Sequence, residues 1–194
     1  MTYSMGKIED SLDAAFANAV SKPMPKSIGA RVRFLLSKEK TDNPAEAARL
    51  LAEKLGCHQR TVERYRDDQV KKPKPDMAGK IEDLTRQLWQ PKVRADRAKK
   101  AATITGIRVA LRGRFGFTAA PGTTNDPRQR RITRTLPPEY AQALFNARQA
   151  GASEDDLGQI LADGLAEVYF TDGGTRAPGL AVTLDDLDYL TVQY

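Results

Sequence analysis

Apolar residues in the first 91 positions recur at the three- and four-residue spacing of amphipathic helices. The pattern begins at Ile8, breaks at the two prolines of residues 21–27 and resumes over residues 28–36. After a second pair of prolines, Asp76 is predicted to be the N-cap of another helix. This spacing predicts a helical bundle over residues 1–91.

Residues 43–70 contain the most informative local motif, two short helices joined by a glycine turn. Ala52, Gly56 and Val62 place a small residue at the helix crossing, a glycine where φ must be positive and an apolar residue in the core. This spacing is typical of a helix-turn-helix. Val62 and Tyr65 of the second helix are expected to face inward. The residues left on its exposed faces carry amide, hydroxyl, carboxylate and guanidinium groups, and they are Gln59, Arg60, Thr61, Glu63 and Arg64.

An ordinary helical hairpin has the same pattern of alanines followed by glycine, so the motif alone does not decide between a structural and a DNA-binding role. The basic flanks favour DNA binding. Lys71, Lys72 and Lys74 come just after the second helix, where phosphate contacts commonly fix the orientation of a protein on DNA.

The hydrophobic period changes from helical to alternating at Ile107. Apolar residues from Ile107 to Phe117 alternate with Arg108, Arg112 and Arg114, which predicts an amphipathic strand with a basic outer face. Before this strand, the segment beginning at Lys92 is rich in helix formers and bases, and it is interpreted either as a basic helix that orders along DNA or as a linker.

A loop over residues 119–127 and a second strand over residues 131–136 are predicted next, because proline, glycine and Asn-Asp precede the apolar positions of that strand. Three further arginines flank the loop, and together with the arginines of the first strand they are candidates for contact with nucleic acid: Arg128, Arg130 and Arg131.

The carboxyl-terminal segment predicts two helices and an acidic edge strand. The first helix opens at Pro137, the second is capped by Ser153, and the strand begins at Val182. Strand, helix and helix in this order resemble a ribbon-helix-helix unit, although Arg134 stands where that unit has an apolar residue. A DNA-reading ribbon and a homodimerisation module both fit, and the pattern favours the second.

The sequence therefore predicts an α+β protein that is mainly α, with three segments. Residues 1–91 form a helical domain that contains the helix-turn-helix, residues 92–134 form a basic segment with short strands, and residues 135–194 form an acidic domain. The middle segment carries 12 basic and 2 acidic side chains, whereas the last carries 2 and 10. Such segregation indicates that the middle segment contacts a polyanion.

Composition excludes several other kinds of site. The chain has one cysteine, Cys57, and one histidine, His58, so neither an internal disulfide nor an ordinary zinc site is expected. No apolar run is long enough for a membrane span, the amino terminus is unlike a signal peptide, and no glycine-rich nucleotide loop is present. A cytoplasmic, nucleoid-associated protein without a cofactor of its own is expected.

An ordered set of segments between Phe16 and Gly174 resembles the telomere terminal proteins (Tpg) of Streptomyces-type actinomycetes. The segments that carry the resemblance are KLGCHQRTVERY, KKPKPDMAGKIED, WQPKVRA, RFGFTAAPGTT, LPPEYAQALF, GAS and EVYFTDGG. The resemblance implies a protein that is joined through a threonine hydroxyl to the 5′ end of telomeric DNA and primes the synthesis that fills the recessed terminus of a linear chromosome or plasmid. It also implies two protein partners, a DNA polymerase and a telomere-associated DNA-binding protein.

By the same resemblance, the joined residue is Thr124, the second residue of the Thr-Thr pair after Gly122, with Thr123 as the alternative. This chain has Ala120-Pro121 where the family has proline before an apolar residue. A priming hydroxyl must reach the active site of a polymerase, which is consistent with a position in a loop. Threonine does not ionise unaided, so Mg²⁺ and the deoxynucleoside triphosphate are expected at the polymerase site, and the chain is a primer and not an enzyme.

Two other functional classes fit parts of the sequence. A transcriptional repressor or plasmid-maintenance protein needs only a helix-turn-helix and a dimerising domain, and it forms no covalent product. A nicking enzyme would join DNA through Tyr65, Tyr140 or Tyr169, but such enzymes generally position a metal ion with several histidines, and this chain has one.

Overall fold

The computed structural model describes residues 7–118, 128–171 and 180–194 of the chain. The protein is a mixed α+β protein, mainly helical, with one three-stranded antiparallel sheet in its described residues, as the sequence predicts. None of the helices in these ranges has both the length and the apolar character needed to cross a membrane.

The chain forms two compact units. The first comprises Val20–Pro91, and the second combines Met1–Ala19 with Lys92–Tyr194. The helices of the described residues are α1 (Lys7–Asn18), α2 (Ile28–Leu36), α3 (Pro44–Leu55), α4 (Gln59–Arg66), α5 (Pro75–Leu88), α6 (Pro91–Lys100), α7 (Pro138–Gln149) and α8 (Glu154–Leu165). The strands are β1 (Ile107–Thr118), β2 (Arg128–Leu136) and β3 (Ala181–Gln193), and π-helical turns follow α6 and α8.

The first unit is a bundle of α2, α3, α4 and α5 around a small apolar core. Side chains from all four helices are buried there, among them Val32, Leu51, Val62 and Ile81. The helix predicted to start after Asp76 starts earlier, because Pro75 occupies the first helical position, where its missing N–H is no loss. Asp76 lies in the first turn instead.

The second unit is a layer of helices on one face of the sheet. The strand order is β2-β1-β3, so β1 is central and β3 lies at an edge as predicted. Alternate side chains of β1 supply the centre of the core, with Ile107, Val109, Leu111 and Phe115 fully buried. Buried residues of α1, α7 and α8 belong to the same core cluster. The alternation predicted for β1 is therefore confirmed.

The observed units differ from the three predicted segments. Helix α1 shares its core with the sheet, because Ile8 and Leu12 are buried in the same cluster as Phe115. The amide of Ile8 also donates to the carboxylate of Glu154 at the start of α8. Helix α6 is part of this unit as well, with Arg94 buried and its guanidinium 5.3 Å from the ring centre of Phe16.

The carboxyl-terminal part contains strand, helix and helix in the predicted order, but not in a ribbon-helix-helix arrangement. Strand β2 pairs along its length with β1 of the same chain, from Leu136 opposite Ile107 to Arg128 opposite Phe115. Its buried residues, Ile132 and Leu136, complete the core beside β1. The partner that a ribbon strand would take from a second chain is thus supplied within the chain.

Candidate nucleic-acid interface

The turn between α3 and α4 has the geometry that the sequence predicts. Gly56 ends α3 with φ 69° and ψ 43°, a left-handed conformation in which glycine has no steric penalty. The amide of Cys57 then donates to the carbonyl of Ala52 at 3.0 Å, which satisfies a carbonyl at the helix end. Helix α4 starts directly afterwards at Gln59.

Helix α4 is anchored by one apolar face and leaves basic side chains on the other. Val62 is fully buried and Tyr65 nearly so, both against α3 and its neighbours. Arg60 and Arg64 are exposed and lie one helical turn apart. Helix α4 therefore has two guanidinium groups on one exposed face, and its role as a recognition helix stays a prediction.

The other predicted reading residues of α4 are less available. Gln59 and Thr61 are half-buried, and the side-chain amide of Gln59 donates to Glu63 at 2.9 Å. Gln59 must therefore exchange this hydrogen bond to contact a base. Beyond α4, Lys71, Lys72 and Lys74 are all exposed, as a phosphate-contacting role requires.

Replacing Gly56 by alanine is expected to destabilise the helical unit by about 1–2 kcal/mol, because alanine is strained in the left-handed conformation. A Cβ at Gly56 would meet only the Lys80 ammonium, at 3.6 Å, so the effect reports backbone strain and not a clash. The matched control is Gly79→Ala in α5, where nothing lies within 4 Å of the added Cβ. That substitution is expected to stabilise the same unit by about 1 kcal/mol.

The measurement is urea unfolding followed by tryptophan fluorescence. Trp89 is the single tryptophan; its indole N–H donates to the Lys22 carbonyl at 3.0 Å and its ring lies 4.9 Å from that of Phe34, so its emission reports this unit. If Gly56→Ala and Gly79→Ala changed the free energy of unfolding by the same amount in the same direction, the result would contradict the left-handed conformation assigned to Gly56.

The second basic surface is the face of the sheet opposite the helices, which we call the outer sheet face. It consists of Arg108, Ala110, Arg112 and Arg114 from β1, Gln129, Arg131, Thr133 and Thr135 from β2, and Asp186, Asp188, Tyr189, Thr191 and Gln193 from β3. All of these side chains are exposed except that of Ala110, which is half-buried. The predicted basic outer face of β1 is therefore confirmed.

The centre of the outer sheet face holds a polar network. The Arg112 guanidinium lies 3.0 Å from an Asp188 carboxylate oxygen through Nε and donates to the Gln129 side-chain oxygen at 3.0 Å. The Gln129 amide donates in turn to Asp188 at 2.8 Å. The network ties β1 to both neighbouring strands, and it offsets part of the positive charge of Arg112.

Two arginines predicted to contact nucleic acid alternate onto the other face. Arg128 pairs with buried Phe115, and Arg130 lies two residues further on, so both belong to the side that carries the helices; Arg128 is nevertheless exposed, whereas Arg130 is half-buried. The Arg130 guanidinium lies 5.8 Å from the ring centre of Phe117 and 5.6 Å from that of Phe170. Arg130 is therefore engaged in cation–π contacts on the side of the helices, and its predicted contact with nucleic acid stays a prediction.

The candidate priming residues, Thr124 and Thr123, lie outside the described residues. The described chain ends before them at Thr118 of β1 and resumes after them at Arg128 of β2. In the sequence, both threonines thus fall between the two strands that bear all four arginines of the outer sheet face.

The tyrosines considered for a nicking reaction are all engaged in the fold. Tyr65 is buried, and Tyr169 lies under the Arg134 guanidinium at 5.2 Å. Burial and a hydrogen bond to Glu167, 2.8 Å long, raise the pKa of Tyr140 to about 12. A phenolate nucleophile at this position is disfavoured.

Sequence reasoning missed Tyr189, which is 40% exposed on the outer sheet face, where it lies on the edge strand β3 opposite Arg112. The alternation of buried and exposed residues in β3 could have revealed Tyr189, because the buried residues Leu187 and Val192 lie on either side of it in the sequence. Two irregularities in the pairing of β3 with β1 disturb that alternation.

We compared the chain with models of protein families, with curated proteins and with solved structures, and none of the three comparisons found a match.

Proposed function

We propose that this chain is a telomere terminal protein, which binds the DNA end of a linear replicon and primes terminal synthesis from the hydroxyl of Thr124, with Thr123 as the alternative. The observation that supports DNA binding most strongly is α4, which presents Arg60 and Arg64 on one exposed face of a helix-turn-helix. The covalent step is supported by the sequence resemblance between residues 16 and 174.

In the proposed reaction, the threonine Oγ1 attacks the α-phosphorus of a deoxynucleoside triphosphate. A phosphodiester bond forms between the protein and the nucleotide, pyrophosphate leaves, and the hydroxyl proton passes to the active site of the polymerase or to solvent. The 3′ hydroxyl of the attached nucleotide then accepts the next one. Mg²⁺ and the triphosphate belong to the polymerase, so this chain is the substrate and not the catalyst.

In this proposal, the first unit binds duplex DNA and the second unit carries the priming threonines. The first unit places α4 against duplex DNA, and Lys71, Lys72 and Lys74 add contacts to phosphates. In the sequence, Thr123 and Thr124 fall between β1 and β2, the two strands of the second unit that carry the arginines of the outer sheet face. The polymerase and a telomere-associated DNA-binding protein are the expected partners, and the nucleoid is the expected location.

The test is a nucleotidylation assay with the full chain. The protein is incubated with Mg²⁺, labelled deoxynucleoside triphosphates, a telomeric template and a polymerase-containing extract of the cells that encode it. We expect a labelled protein band that survives boiling in detergent and disappears on protease treatment. Reversible DNA binding without such a band would favour the alternative, a helix-turn-helix repressor, for which the α3–α4 unit alone is sufficient.

A further inference from the structure

The outer sheet face combines positive charge with one exposed aromatic ring. Tyr189 lies directly opposite Arg112 in the pairing of β3 with β1, and Arg131 lies opposite Arg112 on the other side. The central row across the sheet is therefore Arg131, Arg112 and Tyr189. Along β1, Arg114 lies in the next row on one side, and Arg108 lies two rows away on the other side, beyond Ala110.

One of the two rows beside this centre leaves room above the sheet. The row of Thr133, Ala110 and Thr191 contains only small side chains, so the side chains next to the Tyr189 ring on that side are short. Of the acidic residues of β3, Asp186 lies in the row on the opposite side, where it pairs with Arg114. Asp188 is held by Arg112 and Gln129, so its charge is compensated within the sheet.

These features fit a single strand better than a duplex. An exposed ring on the face of a sheet can stack on a base only if that base is unpaired, because the bases of a duplex are stacked on one another. Neighbouring strands are about 4.8 Å apart, so three strands give a platform roughly 10 Å wide, which is enough for a base and its backbone. Arginines around the ring can then contact the phosphates on either side.

We propose that the outer sheet face binds single-stranded DNA, with a base stacked on Tyr189 and phosphates bound by Arg108, Arg114 and Arg131. This surface is separate from α4, which is the proposed reader of duplex DNA. The biological role of the site rests on the proposed function, because a protein that fills a recessed terminus works on a single-stranded template. The strands β1 and β2 of this surface are also the strands that flank the candidate priming threonines in the sequence.

The experiment measures fluorescence anisotropy of two labelled probes with the full chain, a short oligothymidylate and a duplex of telomeric sequence. Tyr189→Ala is expected to weaken binding of the oligothymidylate about fivefold or more, because base–aromatic stacking is lost. Tyr189→Phe is the matched control, since it keeps the ring, and it is expected to bind within about twofold of the wild type. Duplex binding is expected to change little in either variant.

A second variant tests the phosphate contacts independently of the ring. Arg108→Gln is expected to reduce the slope of log affinity against log salt for the single strand by about 0.7. Circular dichroism of each variant checks the fold. If Tyr189→Ala folds poorly, the test of single-strand binding rests on the salt slopes of Arg108→Gln and Arg131→Gln. Both residues are exposed and outside the core, so these variants are expected to fold.

Equal oligothymidylate affinity in the wild type and in Tyr189→Ala, or an unchanged salt slope in Arg108→Gln, would overturn the inference. A clear preference for RNA of the same sequence would overturn the assignment to DNA. A wild-type protein that binds the duplex but not the single strand contradicts this inference alone. A wild-type protein that binds neither probe contradicts the proposed function as well.

Discussion

A Thr124→Ala variant is expected to lose transfer of a labelled nucleotide to the protein while it keeps its fold and its non-covalent affinity for DNA. The substitution removes the attacking oxygen, and it leaves α4 and the outer sheet face unchanged. Transfer in the nucleotidylation assay should fall to background, whereas anisotropy with telomeric duplex should match the wild type.

Three companion variants make this result specific. Thr124→Ser keeps a hydroxyl at nearly the same position and is expected to retain part of the activity. Thr123→Ala should be fully active if Thr124 is the joined residue, and inactive if the joined residue is Thr123. Full labelling of Thr124→Ala would overturn the assignment to Thr124, and labelling of the double alanine variant would exclude both threonines.

The second large effect is expected at the recognition helix. A variant with both Arg60→Ala and Arg64→Ala should bind telomeric duplex at least about tenfold more weakly, because each direct contact between arginine and a guanine contributes about 1–3 kcal/mol. Discrimination between telomeric and unrelated duplex should fall as well, since base contacts carry the sequence information.

The matched control for charge is Arg86→Ala. Arg86 is an exposed arginine of the same unit, but it is bound to Glu82 at 2.8 Å on α5. Its removal is expected to change duplex affinity less than twofold, because an exposed helix pair contributes little. If Arg86→Ala weakens binding as much as each single variant, Arg60→Ala or Arg64→Ala, the effect is one of net charge and α4 is not the reader.

Local features of the fold could be predicted from the sequence because each depends on residues close together in the chain. Gly56 predicts the left-handed end of α3, and Ser153 predicts the start of α8, where its hydroxyl accepts the amide of Asp156. The alternation from Ile107 to Phe115 predicts which face of β1 is buried, and the burial of both residues agrees.

Long-range features could not be predicted in the same way. The spacing of Ile8 and Leu12 indicates that α1 buries one face. It does not reveal that this face packs against the sheet rather than against α2. Arg130 and Arg131 look equivalent in the sequence. Because side chains of a strand alternate between its two faces, Arg130 packs on the rings of Phe117 and Phe170, whereas Arg131 lies on the outer sheet face. The two arginines differ in the face of the strand that they occupy and not in residue type.

The most direct test of the proposed function is to map the nucleotide on the labelled protein. After the nucleotidylation reaction, trypsin cleavage at Arg114 and Arg128 releases one peptide that contains both Thr123 and Thr124. Mass spectrometry with fragmentation should show this peptide with the added mass of one deoxynucleoside monophosphate, located on Thr124. A nucleotide found on a tyrosine, or on any peptide outside residues 115–128, would contradict the proposal that this chain primes DNA synthesis from its Thr-Thr pair.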